Sequence, residues 1–554
     1  MTRLRVGAAF LLVLLAAPAL ALLRPLGDGV VLAVWLDAAT RSRLLVLVSN
    51  TLLLGGATVA FAVPVGVALA VVLHRTDLSG RRLGRRVLLV ALFVPLPLWL
   101  SGWQAALTWA GGALPVSNAE WAPWTLGLTT AAGLHALAAV PWVVLIVGRG
   151  LGAVEPELEE DAQTVGPPAW VLARVTLPRC RLAIVAAAVW TFVLTTGEIT
   201  VTDLLQVRTY AEEVYSQLAG PERDPAGGDP LGRAVAVALV GVMATTLLLA
   251  LLLRRADRLT PAGPVPLRPP VVLPLGRLRW PAGVVVGGIV LTMLLVPLAA
   301  LVWRAGLHGE PGMWTLGGLV DELRRSMVHD AGLLGRTLLV AAVAGAATTL
   351  LASVCCWLAR EASWLRGLLL LTVALAWATP GPLVGLGLLD LFRGVVDVTE
   401  PWTAVPARLL WYGPSPLPLI VVAVVRYFPY AVAVLWPAMA LLPRELLEAS
   451  RLDGRGPLGE WFAVVEPLTR PAAGCAAAAV AILSLGELSA GKLVSTPGAE
   501  SFAEALWTQM HYGVTADLAA RCLWLVIVVA SAATLLPAAP RSVSNGRAVG
   551  ALVQ

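Results

Sequence analysis

Two glutamates set in apolar surroundings share a context. Gly197-Glu198-Ile199-Thr200 and Gly486-Glu487-Leu488-Ser489 each place a carboxylate after a glycine and before an aliphatic and a hydroxyl residue. A charged side chain in a membrane span costs about 2.5–3.5 kcal/mol on insertion scales, so such groups face a cavity or a partner. One reading puts Glu198 and Glu487 on a pathway that guides a cation. The other has them hydrated near an interface, or holding two parts of the chain together.

A second polar device also occurs twice. Glu155-Pro-Glu-Leu-Glu-Glu-Asp-Ala-Gln-Thr-Val-Gly166 and Leu442-Pro-Arg-Glu-Leu-Leu-Glu-Ala-Ser-Arg-Leu-Asp-Gly454 interrupt apolar sequence. Each holds an acidic-plus-small triplet, Glu160-Asp161-Ala162 and Glu448-Ala449-Ser450, with Gly166 or Gly454 six residues after the glutamate. Pro178 and Pro467 follow, and each lies twenty residues before its glutamate, Glu198 or Glu487. Twenty helical residues rise about 30 Å, which puts both glutamates towards the far end of a span. Pro156 and Pro443 suit a first helical turn, and Glu157, Glu159 and Glu445 favour a positive helix N-terminus. Gly166 and Gly454 fit a left-handed helix stop. Each loop is therefore expected to be a short surface helix, a break, and a segment entering the next span. Such a helix can seat in a groove on a partner and transmit a push.

Other groups carry less. Gly486-Glu-Leu-Ser-Ala-Gly491-Lys492 nearly spells a phosphate-binding loop, but Leu493 stands where a magnesium-binding hydroxyl belongs and no strand precedes it. Of the five histidines only His135 lies mid-span, where it fits a satisfied core residue. Cys180, Cys355, Cys356, Cys475 and Cys522 sit in or beside apolar stretches without metal-ligand spacing. No catalytic constellation, resident metal or cofactor is expected. Arg426 and Tyr427 lie in a span without a counterpart earlier in the chain, and the tryptophans suit interfacial anchoring.

The elements that must position these residues are membrane helices. The chain has 554 residues, 58% hydrophobic and 13% charged, against about 25% charged in soluble domains. Apolar runs lie near 6–23, 48–73, 88–110, 125–148, 182–204, 232–253, 281–303, 336–359, 367–392, 417–441, 470–492 and 518–538, which predicts twelve spans. Backbone groups in lipid must be satisfied internally, so the expected fold is an all-α polytopic membrane protein. The run after Arg3 and Arg5 also resembles a cleaved signal; an uncleaved first span is favoured. Arginines cluster after the second and sixth spans, whereas the loop at 111–123 has no basic residue and that at 205–231 is mainly acidic. The asymmetry puts both termini and both repeated loops in the cytoplasm, in a cytoplasmic (inner) membrane. The net charge of +6 follows from these loops and gives no argument for nucleic acid.

The duplication reaches further. Asn50-Thr51-Leu-Leu and Arg336-Thr337-Leu-Leu open two spans, with the threonines 286 apart and Glu160 and Glu448 288 apart. The expected organisation is a first half at 1–255 (core 45–255), a Pro/Arg-rich cytoplasmic linker at 256–280, and a second half at 281–554 (core 332–540). An even span count between equivalent points makes the repeats parallel.

The triplets, the glycine that follows each and the downstream Leu177-Pro178 resemble the EAA loop of permeases in binding-protein-dependent ABC importers. Asp161 and Ser450 depart from its alanines, and Glu466 replaces the usual leucine before Pro467. The fused double arrangement is similar to ferric-iron permeases, and to thiamine and aminoalkylphosphonate relatives. The resemblance implies an ATP-driven importer subunit that is not itself an enzyme. Its loops, with Glu160, Asp161, Ala162, Gly166, Glu448, Ala449, Ser450 and Gly454, would dock two copies of a cytoplasmic ABC ATPase. A periplasmic or lipid-anchored binding protein would deliver substrate, most simply ferric iron. Two other classes compete: an ion-coupled secondary transporter, which leaves the paired loops unexplained, and a membrane scaffold.

Overall fold

A computed structural model describes residues 2–21, 38–113, 127–219, 230–259, 270–309 and 312–534. Most of the expected outer loop at 111–123, part of that at 205–231, the middle of the linker at 256–280 and the C-terminal tail lie outside the described residues. The protein is all-α, with one two-residue hairpin among the described residues, β1 (Leu307–His308) and β2 (Met313–Trp314).

The earlier stretch contains α1 (Thr2–Ala21), α2 (Ala38–Arg75), α3 (Arg81–Leu92), α4 (Leu96–Ala113), α5 (Leu128–Gly152), α6 (Pro156–Gln163), α7 (Leu177–Thr196), α8 (Thr200–Leu204), α9 (Tyr210–Ala219) and α10 (Pro230–Leu259). The later one contains α11 (Arg279–Ala305), α12 (Leu316–Glu361), α13 (Ser363–Ala378), α14 (Gly381–Thr399), α15 (Leu417–Ala440), α16 (Arg444–Leu452), α17 (Glu466–Ser484), α18 (Gly491–Val494), α19 (Phe502–Met510) and α20 (Ala516–Thr534).

Among the described residues nine helices are long and apolar enough to cross a membrane, or eleven if each of two bent pairs is one span. Twelve spans were expected, and two of them, near 88–110 and 367–392, are bent. α3 and α4 meet at 102°, α13 and α14 at 112°. The cause is local. Pro95 and Pro380 lack an N–H, and Thr379 before Pro380 is extended (φ −83°, ψ 117°), so neither helix continues. The sixth expected span corresponds to α10, which is outside the set of eleven.

The core consists of two trios. α2, α5 and α7 pack on one another, and so do α12, α15 and α17. Around them the flanking helices are exchanged. α1 packs on α12, α13 and α14, whereas α11 packs on α3 and α4; α10 packs on α13, whereas α20 packs chiefly on α11 and α12 and less on α3 and α4. Local hydrogen bonds recur at matched places. Thr51 Oγ1 accepts from the Tyr210 N–H (3.2 Å), and Thr337 Oγ1 from the Phe502 N–H (3.0 Å). Asn50 donates to the Arg208 carbonyl (3.0 Å), and Arg336 to the Glu500 carbonyl (2.7 Å).

Candidate functional site

α6 and α16 occupy the repeated loops. Each starts beside a proline, Pro156 at its first position or Pro443 as its cap, and each turns one face inward: Pro156 and Glu159, or Leu447 and Ser450. Glu160 and Asp161, like Glu448 and Ala449, are exposed; Ala162 is half-buried. The matched exposed positions Glu157-Leu158 and Glu160, and Glu445-Leu446 and Glu448, carry the same residues.

The two glycines differ. Gly454 is left-handed (φ 75°), as expected of a helix stop. Gly166 is not among the positive-φ residues; a Cβ there would meet the Trp170 ring at 2.7 Å. Its turn is closed by its N–H donating to the Ala162 carbonyl (3.1 Å), so no left-handed residue is needed.

Beyond each glycine a four-residue helix, Pro168–Val171 or Pro457–Glu460, leads into a π-helical segment, Leu172–Thr176 or Trp461–Val465. In each segment the next N–H, of Leu177 or Glu466, donates to the carbonyl five residues back. Pro178 and Pro467 follow at once and offer no N–H, so the regular ladder is already broken there.

The loop helices are tied to the core by charges that spacing alone does not reveal. Glu159 is buried, with Arg75 at 2.9 Å, and it accepts from the Thr176 hydroxyl (2.6 Å). In α16 the tie comes from Arg451, which donates to Glu460 (2.7 Å) and to Glu361. These carboxylates, Glu460 first, hold the Arg451 guanidinium above its ordinary range. An acidic residue facing a basic one 84 positions earlier leaves no local signal.

Glu198 and Glu487 lie just past α7 and α17, which end at Thr196 and Ser484, rather than inside the spans expected at 182–204 and 470–492. Each carboxylate caps the turn of chain that comes after it. Glu198 accepts from the Thr200 and Val201 N–H groups (2.6 and 3.0 Å), and Glu487 from that of Ala490 (2.9 Å). The preceding glycines allow a close approach: Gly486 meets the Pro95 bend and Gly197 the Pro380 bend. Beyond that the two differ. Glu487 is buried and receives the Tyr427 hydroxyl (2.9 Å) and Arg426 Nε (3.4 Å). Glu198 has His135 Nε2 at 3.9 Å, and that nitrogen has no hydrogen-bond partner. His135 is thus not the satisfied core histidine expected. Glu487 also lines a cavity of about 20 Å³ with Arg336, Thr337, Ser484 and Glu500.

An aromatic cluster adjoins Glu487. Tyr427 is 5.7 Å from Tyr430, which lies 5.9 Å from Trp142, 5.4 Å from Trp190 and 6.1 Å from Trp377, between centroids. Trp190 and Trp377 are edge-on at 4.8 Å. The rings come from α5 and α7 on one side and α13 and α15 on the other. Interfacial anchoring, expected of tryptophans, does not describe these three; their positions inside the apolar runs at 125–148, 182–204 and 367–392 were the available clue.

Residues 349–539 match the family of binding-protein-dependent transport system inner membrane components. No curated protein matches the chain. The matched stretch takes in the second trio from the middle of α12 onward, the α16 loop, Arg426 and Glu487, and it supports a membrane permease component of binding-protein-dependent ABC transport.

Proposed function

We propose that the chain is a fused double permease of an ATP-driven importer, with halves at about 1–255 and 281–554 joined by the linker at 256–280. α6 and α16 would each receive one copy of a cytoplasmic ATPase, and an extracytoplasmic binding protein would deliver substrate at the opposite face. The observation that carries this reading is the pair of loop helices. Only α16 lies in the family match, yet α6 repeats its exposed Glu-Leu-x-Glu face and its π-helical exit. Paired trios and the matched Thr51 and Thr337 bonds support the division into halves. An ion-coupled transporter would account for buried carboxylates but gives the loop helices no task.

Ferric iron is the proposed cargo, supported by the carboxylates of Glu198 and Glu487. Arg426 offsets the charge of Glu487, so Glu198 would be the stronger attractor for a cation. A zwitterionic or organic substrate, such as thiamine or an aminoalkylphosphonate, is favoured by the same Arg426, which puts both charge signs beside aromatic rings. Uptake by proteoliposomes holding the permease, its ATPase and its loaded binding protein decides between them. Accumulation of iron that stops on ATP depletion with ion gradients clamped supports the first reading. Uptake that follows an ion gradient without ATP would remove the importer reading.

A further inference from the structure

Resting on the importer reading, we infer that Glu159 and Arg451 are the transmission joints through which the loop helices move the core, and that the two joints are built with opposite charge. Neither residue belongs to the Glu-plus-small triplets. Glu159 of α6 ties two core helices at once: Arg75 is the last residue of α2, and Thr176 ends the π segment that opens α7. Arg451 of α16 makes the same triangle. Glu361 is the last residue of α12, and Glu460 immediately precedes the π segment that opens α17. The carboxylate sits on the loop helix in one triangle and on the core in the other. A displacement of either loop helix is thereby applied to two members of its trio together, at the end where the chain enters the core.

The first joint also engages the incoming linker. Arg75 donates to the Val271 carbonyl (3.3 Å), its own carbonyl accepts from the Leu273 N–H (2.7 Å), and Asp77 accepts from the Leu275 N–H (2.9 Å). It is dry: the Arg75 and Glu159 side chains are 1% and 4% exposed. The second is partly wet, with Arg451 at 42% and Glu361 at 29%, although Glu460 is buried. Charge pairs screened by water weaken with salt, and buried ones do so less. Coupling through α16 is therefore the more salt-sensitive of the two.

Three readouts test this in the assembled transporter: ATPase retained on the permease, ATP hydrolysed, and substrate moved. Thr176→Val leaves the Arg75–Glu159 pair intact and cuts only the tie to α7. It is expected to keep the ATPase bound while substrate moved per ATP falls about tenfold, the weight of one charge-assisted hydrogen bond. Glu159→Gln strands the buried Arg75, and Arg451→Gln the buried Glu460, so each should lower abundance as well as coupling. The double variant Arg75→Met, Glu159→Leu removes the buried charges together and puts at 159 the residue found at the matched position, Leu447. A purely structural pair predicts that this variant regains both abundance and coupling; a transmission joint predicts that abundance returns and coupling does not. Normal substrate per ATP in Thr176→Val, or full coupling in the double apolar variant, overturns the inference. Failure of the parental chain to retain any ATPase would instead overturn the importer reading on which it rests.

Discussion

At the scale of single residues, Glu198 and Glu487 are equivalent in sequence and unequal in surroundings. Breaking a buried ion pair by removing one partner costs about 3–5 kcal/mol, because the other charge stays buried. Glu487→Gln strands Arg426 and is expected to lower both membrane abundance and uptake. Adding Arg426→Gln should restore abundance without restoring uptake. Glu198→Gln has no arginine to strand among its named contacts, so uptake should fall while abundance holds. Immunoblots beside uptake assays check all three, and equal abundance for every variant would contradict the geometry. The glycines separate in the same way. Gly454→Ala forces a left-handed alanine and should cost about 1–2 kcal/mol. Gly166→Ala needs only a shift of Trp170, which is 42% exposed, and should cost less in thermal unfolding of the purified protein. Both glutamates and both glycines were visible from spacing. Their differences were not, because Arg426, Tyr427, His135 and Trp170 reach them through the fold or through side-chain direction.

At the scale of elements, apolar length predicted helices and their order well, and failed where a proline or glycine turned a span. Runs near 88–110 and 367–392 read as continuous because composition does not register a change of direction. The prolines within them, Pro95 and Pro380, were the clue. Each bend meets a glycine from the other stretch, and the fit is tighter on one side. A Cβ at Gly486 would lie 2.8 Å from Pro95 Cβ, whereas at Gly197 the nearest atom of Pro380 is 3.8 Å away. Gly486→Ala is therefore expected to destabilise the protein by about 1–3 kcal/mol through overpacking. Gly197→Ala should be nearly neutral. Thermal unfolding in one detergent compares them directly, and equal midpoints would show that the bends are free to separate. The π segments ahead of Pro178 and Pro467 were not foreseen, although the prolines that end them had been used to align the loops.

At the scale of the whole molecule, two helix trios are wrapped by exchanged neighbours and meet through large rings. The trio members α5 and α15 contribute Trp142 and Tyr430, at 5.9 Å, and Trp190 of α7 reaches both Trp377 and Tyr430. Rings that fill the space between two bodies also close it. Trp190→Ala with Tyr430→Ala is expected to open a leak, seen as ATP-independent loss of a small trapped ion from liposomes, whereas Trp190→Phe should stay tight. The expected number of spans came from apolar runs, their orientation from arginine placement, and the parallel halves from repeat spacing with an even span count. Which helix wraps which trio could not, since apolar faces carry no label of their neighbour. The central claim is that α6 and α16 are the two places where an ATPase docks, and site-directed crosslinking tests it most directly. Cysteines at 160 and 448 in a cysteine-free chain, expressed with the ATPase, should each crosslink to it from the cytoplasmic side and stay closed to an impermeant reagent in intact cells. An ATPase that co-purifies yet crosslinks at neither position, or labelling of either position from outside, would contradict it.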